Sequence, residues 1–152
     1  MEYGSIEREL QIDATPEVVF EVISTPEYIR EWWDLHTDSD WTGVGELSWR
    51  NEDGVEHHRT WFTVVETDPP RRFAFRWTHG EDEIAATGNS MLVTFDLLPA
   101  GDGTTLRFSE QGFRERGWEA GVLEAQYNDH VHGWDFYLPR LAALAGRLAA
   151  TR

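Results

Sequence analysis

From Gly117 onward the apolar residues fall into one stripe, in which Tyr127, Val131, Trp134, Leu138, Leu141, Ala145 and Leu148 follow one another at steps of four and three. That spacing gathers side chains on one face of a helix, so the chain is expected to end in a long helix with a buried side. The stripe is aromatic in its first half, where Trp118, Tyr127, Trp134 and Tyr137 gather, and aliphatic toward its end. Indole and phenol groups carry polar tips that need a partner when buried. The aromatic half therefore has two readings, as plain core or as the cover of a cavity. Pro139 conflicts with the pattern, because proline inside a helix removes the hydrogen bond to the carbonyl four residues back and crowds it; a kink is expected there, with Gly133 adding play.

Upstream, the period changes. Ile6, Arg8, Leu10 and Ile12 alternate with Glu7, Glu9 and Gln11, a half-buried strand with one charged residue on its inward phase. Thr15-Pro16-Glu17 is a helix start, with Thr15 as N-cap, proline at the first helical position and an acid on the positive end of the dipole. Thr25-Pro26-Glu27 repeats it at once, so a first helix ends near Ser24 and a short second one runs to Trp32 or Trp33. From Trp41 to Gln111 the pattern has period two, with breaks at Asn51-Glu52-Asp53-Gly54, Asp68-Pro69-Pro70, the polar stretch Gly80 to Ser90, and Ala100-Gly101-Asp102-Gly103. Strands this close in sequence, joined by turns, pair antiparallel. Their apolar face must be covered, and the C-terminal helix is the only element large enough to do it. An α+β protein is expected, a single domain over residues 1–152.

Composition excludes several functions. Thirteen Lys and Arg against 28 Asp and Glu give a formal net charge of −15, which repels nucleic-acid phosphates and anionic membranes alike. Neither nucleic acid nor a membrane is an expected partner. There is no cysteine, so disulfides and thiolate chemistry are absent. Met1 to Leu10 holds Glu2, Glu7 and Glu9 and no apolar run, unlike a signal peptide, and a cytoplasmic location is the expectation.

The phrases Ala14-Thr15-Pro16-Glu17-Val18-Val19-Phe20, Glu31-Trp32-Trp33, Asp68-Pro69-Pro70-Arg71-Arg72-Phe73, Gln111-Gly112-Phe113 and Gly133-Trp134, in this order and over almost the whole chain, resemble the START-like (SRPBCC) superfamily. Within it the chain looks like the bacterial branch related to the activator of heat-shock protein 90 ATPase. The resemblance implies a helix-grip fold: a curved antiparallel sheet of about six to seven strands wrapped around the long helix, with an apolar cavity between them. It implies no single function, since members include lipid carriers, hormone receptors, polyketide cyclases and chaperone activators.

One departure from that branch stands out. Where many relatives carry a histidine before the Gly-Phe pair, this chain has Glu110, in phase with Leu106 and Phe108 and so on the covered face if the strand stays regular. Its carboxylate then either fixes the polar end of a ligand or pairs with an arginine such as Arg76 or Arg114. If it faces the cavity, desolvation is expected to raise its pKa, and Glu110→Gln to leave stability nearly unchanged or improved at neutral pH.

Catalytic and metal constellations do not assemble. His57 and His58 point to opposite faces of a strand, and His130 and His132 are about 200° apart on a helix, so neither pair converges on an ion. Asp129 and His132 share a face expected to lie away from the Trp134 stripe. No serine has the spacing of a nucleophile elbow, and no glycine-rich phosphate loop or other cofactor motif is present. The leading expectation is a protein that binds a small, largely apolar molecule through Trp49, Phe75, Trp77, Phe95, Phe108, Tyr127 and Trp134, with Glu110 or His130 as the polar contact. A co-chaperone-like partner of a chaperone is the alternative, and a cyclase-like enzyme using Glu110 and a histidine as acid and base is a third.

Overall fold

Thr15 caps the first helix as expected, its hydroxyl accepting from the Val18 amide, and α1 spans Pro16–Ser24. Thr25 ends α1 and begins α2, Pro26–Trp32, because proline at the next position bars the helical conformation to the residue before it. These helices follow β1, Ser5–Ile12, in a computed structural model that describes residues 4–35, 37, 40–50, 56–78 and 90–152, without the side chains of residues 50 and 56–59. The strands β2, Val44–Arg50, β3, Glu56–Asp68, β4, Arg72–Thr78, β5, Ser90–Ala100, and β6, Gly103–Gln111, then form a meander. The turn at residues 51–54 and most of the stretch from Gly80 to Ser90 lie outside the described residues, as do the side chains of His57 and His58.

Among the described residues the sheet has six strands in the order β1-β6-β5-β4-β3-β2, all neighbours antiparallel. Five strands follow the helices, and β1 returns to the far edge beside β6. Its inward face is written in the register. Ile6, Glu110 and Val93 stand in one cross-strand row with Phe75 and Val64, and Arg8, Phe108, Phe95 and Phe73 in the next. Side chains two apart share a face, so the aromatics of the alternating strands converge on one core. Phe62, Phe73, Phe75 and Phe95 are fully buried, each worth about 1.5–3 kcal/mol by removal from water.

The helix α3, Ala120–Ala150, crosses that face and also packs on α1 and α2. It begins three residues after Gly117, whose positive φ of 75° closes a short 3-10 turn at Arg114–Arg116. His130, Trp134, Leu138, Leu141, Leu144 and Ala145 are its buried residues, whereas Tyr127, Val131 and Leu148 are half-buried at the margins of the expected stripe. The helix stays continuous through Pro139, which is exposed, so the lost hydrogen bond falls on the solvent side. Arg8, the charged residue on the inward phase of β1, is resolved by an ion pair: its Nε lies 2.7 Å from Asp135 Oδ1 on α3. This is a helix-grip arrangement, a curved antiparallel sheet holding one long helix.

Candidate functional site

The site starts from the end of β6. Strand regularity persists through Glu110, which faces inward between Ile6 and Val93 and is fully buried. Just beyond, Gly112 adopts φ +113°, and a Cβ there would come within 2.8 Å of the Ser90 carbonyl oxygen, so only glycine lets the chain leave the sheet at this point. The turn tucks Phe113 into the core, where its ring packs edge-on against His130 at 5.1 Å and Tyr127 at 5.2 Å.

A buried carboxylate must be hydrogen-bonded, and Glu110 is met by two indole N–H donors and an imidazole nitrogen. Trp77 Nε1 of β4 donates to Oε2 at 2.7 Å; Trp134 Nε1 and His130 Nδ1, both of α3, approach Oε1 at 2.8 Å. Neither Arg76 nor Arg114 is a partner: the donors come from indoles and imidazole. Burial alone would lower the pKa of His130, but the charge and hydrogen bond of Glu110 outweigh it, with a further push from Asp129, and the net direction is up.

In front of this cluster opens a cleft of about 620 Å³, lined by Trp33, Trp49, Trp77 and Trp134 as walls, with Thr78, Met91 and the α3 residues Asp129, His130, His132, Gly133, Phe136 and Tyr137. Trp33, itself buried, is the hub of the aromatic cluster behind the cleft. It stacks on Trp32 with planes 3° apart and contacts Trp41, Trp49, Phe75, Trp77 and Trp134, all at ring separations of 5.2 to 6.3 Å. Tyr137, hydrogen-bonded with Trp49, has its pKa raised by burial and by the charge of Asp34, so its phenol stays protonated near neutrality.

Of the residues expected to touch a ligand, Trp49, Trp77, His130 and Trp134 line the cleft. The others lie elsewhere. Phe75, Phe95 and Phe108 share the inward phase but sit deeper along the sheet, closed beneath Trp33, Trp32 and Trp134 at exposures of 2% or less. Tyr127 turns its hydroxyl to the Ser5 carbonyl at 2.8 Å, fastening α3 to β1. Glu110 does not line the cleft itself and stands behind three side chains that do, Trp77, His130 and Trp134. The Asp129–His132 face, expected to lie away from the stripe, borders the cleft instead, because the lining residues of α3 span about 200° of the helix surface.

Trp33 and Tyr137 are the principal residues missed. Trp33 caps α2 and falls outside any periodic pattern, and the sequence marks it only as a candidate end of that helix. Tyr137 was noted only as part of the aromatic half-helix. Among the described residues no group of three or more His, Asp or Glu side chains gathers as a metal site would require.

The cleft lies in a fold with many relatives. A protein from Mesorhizobium loti superposes with a TM-score of 0.72 at 21% identity, covering 94% of this chain and 97% of its own. One from Chromobacterium violaceum gives 0.75 at 18%, with the same coverage. The Aha1 dimer of Colwellia psychrerythraea gives 0.65 at 18%, over 91% of this chain and 92% of that one. At these identities the likeness shows the fold alone, and comparison with curated proteins finds no match. The sequence itself supplies the rest: the family described as activator of Hsp90 ATPase homolog 1-like protein matches residues 13–146, and the chain belongs to that family.

Proposed function

We propose that this protein binds a small, largely aromatic molecule in the cleft between α3 and the β2–β4 side of the sheet. One observation carries the reading: four indoles wall a space of about 620 Å³ whose inner end is an imidazole held from behind by a buried carboxylate. A filled core needs no such opening, and the volume falls within the usual range for small-molecule sites, roughly 300–1,000 Å³. Trp33, Trp49, Trp77 and Trp134 supply flat apolar contact, and His130 supplies the polar point that orients the ligand. Affinity in the micromolar range, about −8 kcal/mol, is expected.

Titration of tryptophan emission with neutral bicyclic aromatics and with fatty alcohols tests this. Saturable quenching by the aromatics supports the reading. No change with any of them at millimolar concentration would sink it.

Family membership favours a second reading, a co-chaperone-like partner of a bacterial Hsp90. The surface of −15 charge offers mostly exposed acidic groups, whose pairings are individually weak and screened by salt. Saturable, severalfold stimulation of such an ATPase at physiological salt would place this reading first; the expected outcome is a modest effect.

A further inference from the structure

The donors around Glu110 determine what His130 presents to the cleft. Trp77 Nε1 and Trp134 Nε1 can only donate, so both oxygens of Glu110 serve as acceptors. His130 Nδ1 faces the shared oxygen at 2.8 Å, and against an ionised carboxylate, which can only accept, it carries its hydrogen there whether the ring is neutral or charged. All titration of the ring therefore happens at Nε2. That nitrogen has no protein partner among the described residues, in a ring that lines the cleft.

A carboxylate locked behind Nδ1 favours the imidazolium, which makes Nε2–H a charged donor at the inner end of an indole-walled slot. Among the described residues the other titratable groups lining the cleft are Asp129 and His132, both exposed on α3, and Tyr137. Among the described residues the sheet side contributes Trp49, Trp77, Thr78 and Met91, and Phe113 packs on the ring from the turn after β6; none of these titrates near neutrality. Asp129 opposes an anion in the cleft, but from a water-exposed position where screening is strong.

We propose that the ligand is an aromatic acid: a flat ring system bearing a carboxylate or a comparably acidic hydroxyl, whose anionic oxygen accepts from His130 Nε2–H while the rings lie among Trp33, Trp49, Trp77 and Trp134. This rests on the reading that the cleft binds small aromatic molecules, and it adds the charge of the ligand and the coupling of its binding to one proton. The upward shift of the His130 pKa agrees with it, since the charged donor then persists toward neutral pH. Binding of an anion to the imidazolium must in turn hold the proton more tightly, by linkage.

The test compares 2-naphthoate with 2-naphthamide, which have the same rings and differ in charge. In the wild-type protein at pH 6 the acid is expected to bind about tenfold tighter than the amide, and the advantage to shrink severalfold as the pH is raised through the His130 midpoint located by NMR. His130→Asn places an amide nitrogen where Nδ1 stood, so Glu110 keeps a donor while Nε2 is removed; the ratio between the two ligands is expected to fall to about one. Independently of any variant, naphthoate is expected to raise the His130 titration midpoint followed by NMR, and naphthamide to leave it in place. Equal affinities at pH 6, a preference that survives in His130→Asn, or a midpoint that naphthoate does not move would each overturn the inference. Amide binding without preference for the acid defeats this inference alone, whereas failure of both ligands to bind defeats the cleft reading with it.

Discussion

His130 and Trp134, one helical turn apart on α3, direct their ring nitrogens at the same atom, Glu110 Oε1, each at 2.8 Å. With Trp77 on the other oxygen, one carboxylate joins β6, β4 and α3. Bonds of this kind to an ionised group are shorter and roughly twice as strong as neutral ones. The helix is therefore located on the sheet by a fixed polar point as well as by apolar packing.

Replacing Glu110 by Gln keeps the shape and removes the charge, and it sets an amide N–H against at least one N–H donor. Loss of on the order of 3 kcal/mol is expected at pH 7, since breaking a buried charged cluster leaves its partners unsatisfied. Urea denaturation measures it. A variant as stable as wild type would show that the three donors contribute nothing.

Stability should depend on His130 with a definite sign. Its folded pKa is raised above the unfolded value near 6.5, so its contribution is fully present below about pH 6.5 and is lost as pH rises through the folded value. The stability difference between wild type and His130→Asn is accordingly expected to narrow with rising pH. A histidine midpoint below 6.5 by NMR, or a difference that widens toward alkaline pH, contradicts the assignment.

Gly133 lies inside α3 on the cleft wall, and a Cβ there has only Tyr137 Cε2 nearby, at 4.0 Å. Gly133→Leu should therefore raise helix stability, by roughly 0.5–1 kcal/mol, while filling the slot. Thermal melting and naphthalene titration together read the result: a more stable protein that no longer binds. Unimpaired binding would place the ligand elsewhere.

Trp134→Ala removes a ring that is 2% exposed together with one of the donors to Glu110. A cost of about 3–5 kcal/mol is expected, and chemical denaturation checks it. A cost below about 1.5 kcal/mol would mean that the ring serves as cleft lining and adds little to the core.

Arg8 and Asp135 illustrate the opposite case. Their side chains are 34% and 52% exposed, so although the pair raises the pKa of Arg8 and lowers that of Asp135, it should be worth under about 1 kcal/mol. A double-mutant cycle at low and high salt measures the coupling. A salt-insensitive value well above that would require the pair to be shielded.

Much of this architecture can be read from spacing. Steps of three and four from Tyr127 to Leu148 reveal α3, Thr15-Pro16 and Thr25-Pro26 mark the two short helices, and the phase of Leu106 and Phe108 carries Glu110 to the inner face. Alternation reports which face a side chain takes and says nothing of its depth along the strand. Phe75 and Trp77 are indistinguishable by period, yet one is sealed between Trp33 and Phe95 while the other, one residue from the end of β4, borders the cleft. The partners of Glu110 were hidden for a similar reason. They come from 20, 24 and 33 residues away, and only the inter-strand register and the seat of α3 bring them together.

The pairing of the first strand with the last has a bearing on how the protein is made. Every contact in the β1–β6 ladder joins residues on the order of a hundred positions apart, and such non-local closures are slow because the chain entropy is lost before the contact is gained. A ribosome releases the meander before the 31-residue helix that covers it, so Phe73, Phe75, Phe95 and Phe108 emerge as an aromatic surface facing water. Until α3 is out and seated on Glu110, the nascent chain carries the sticky face of a half-built core, at risk of joining its neighbours on the same polysome.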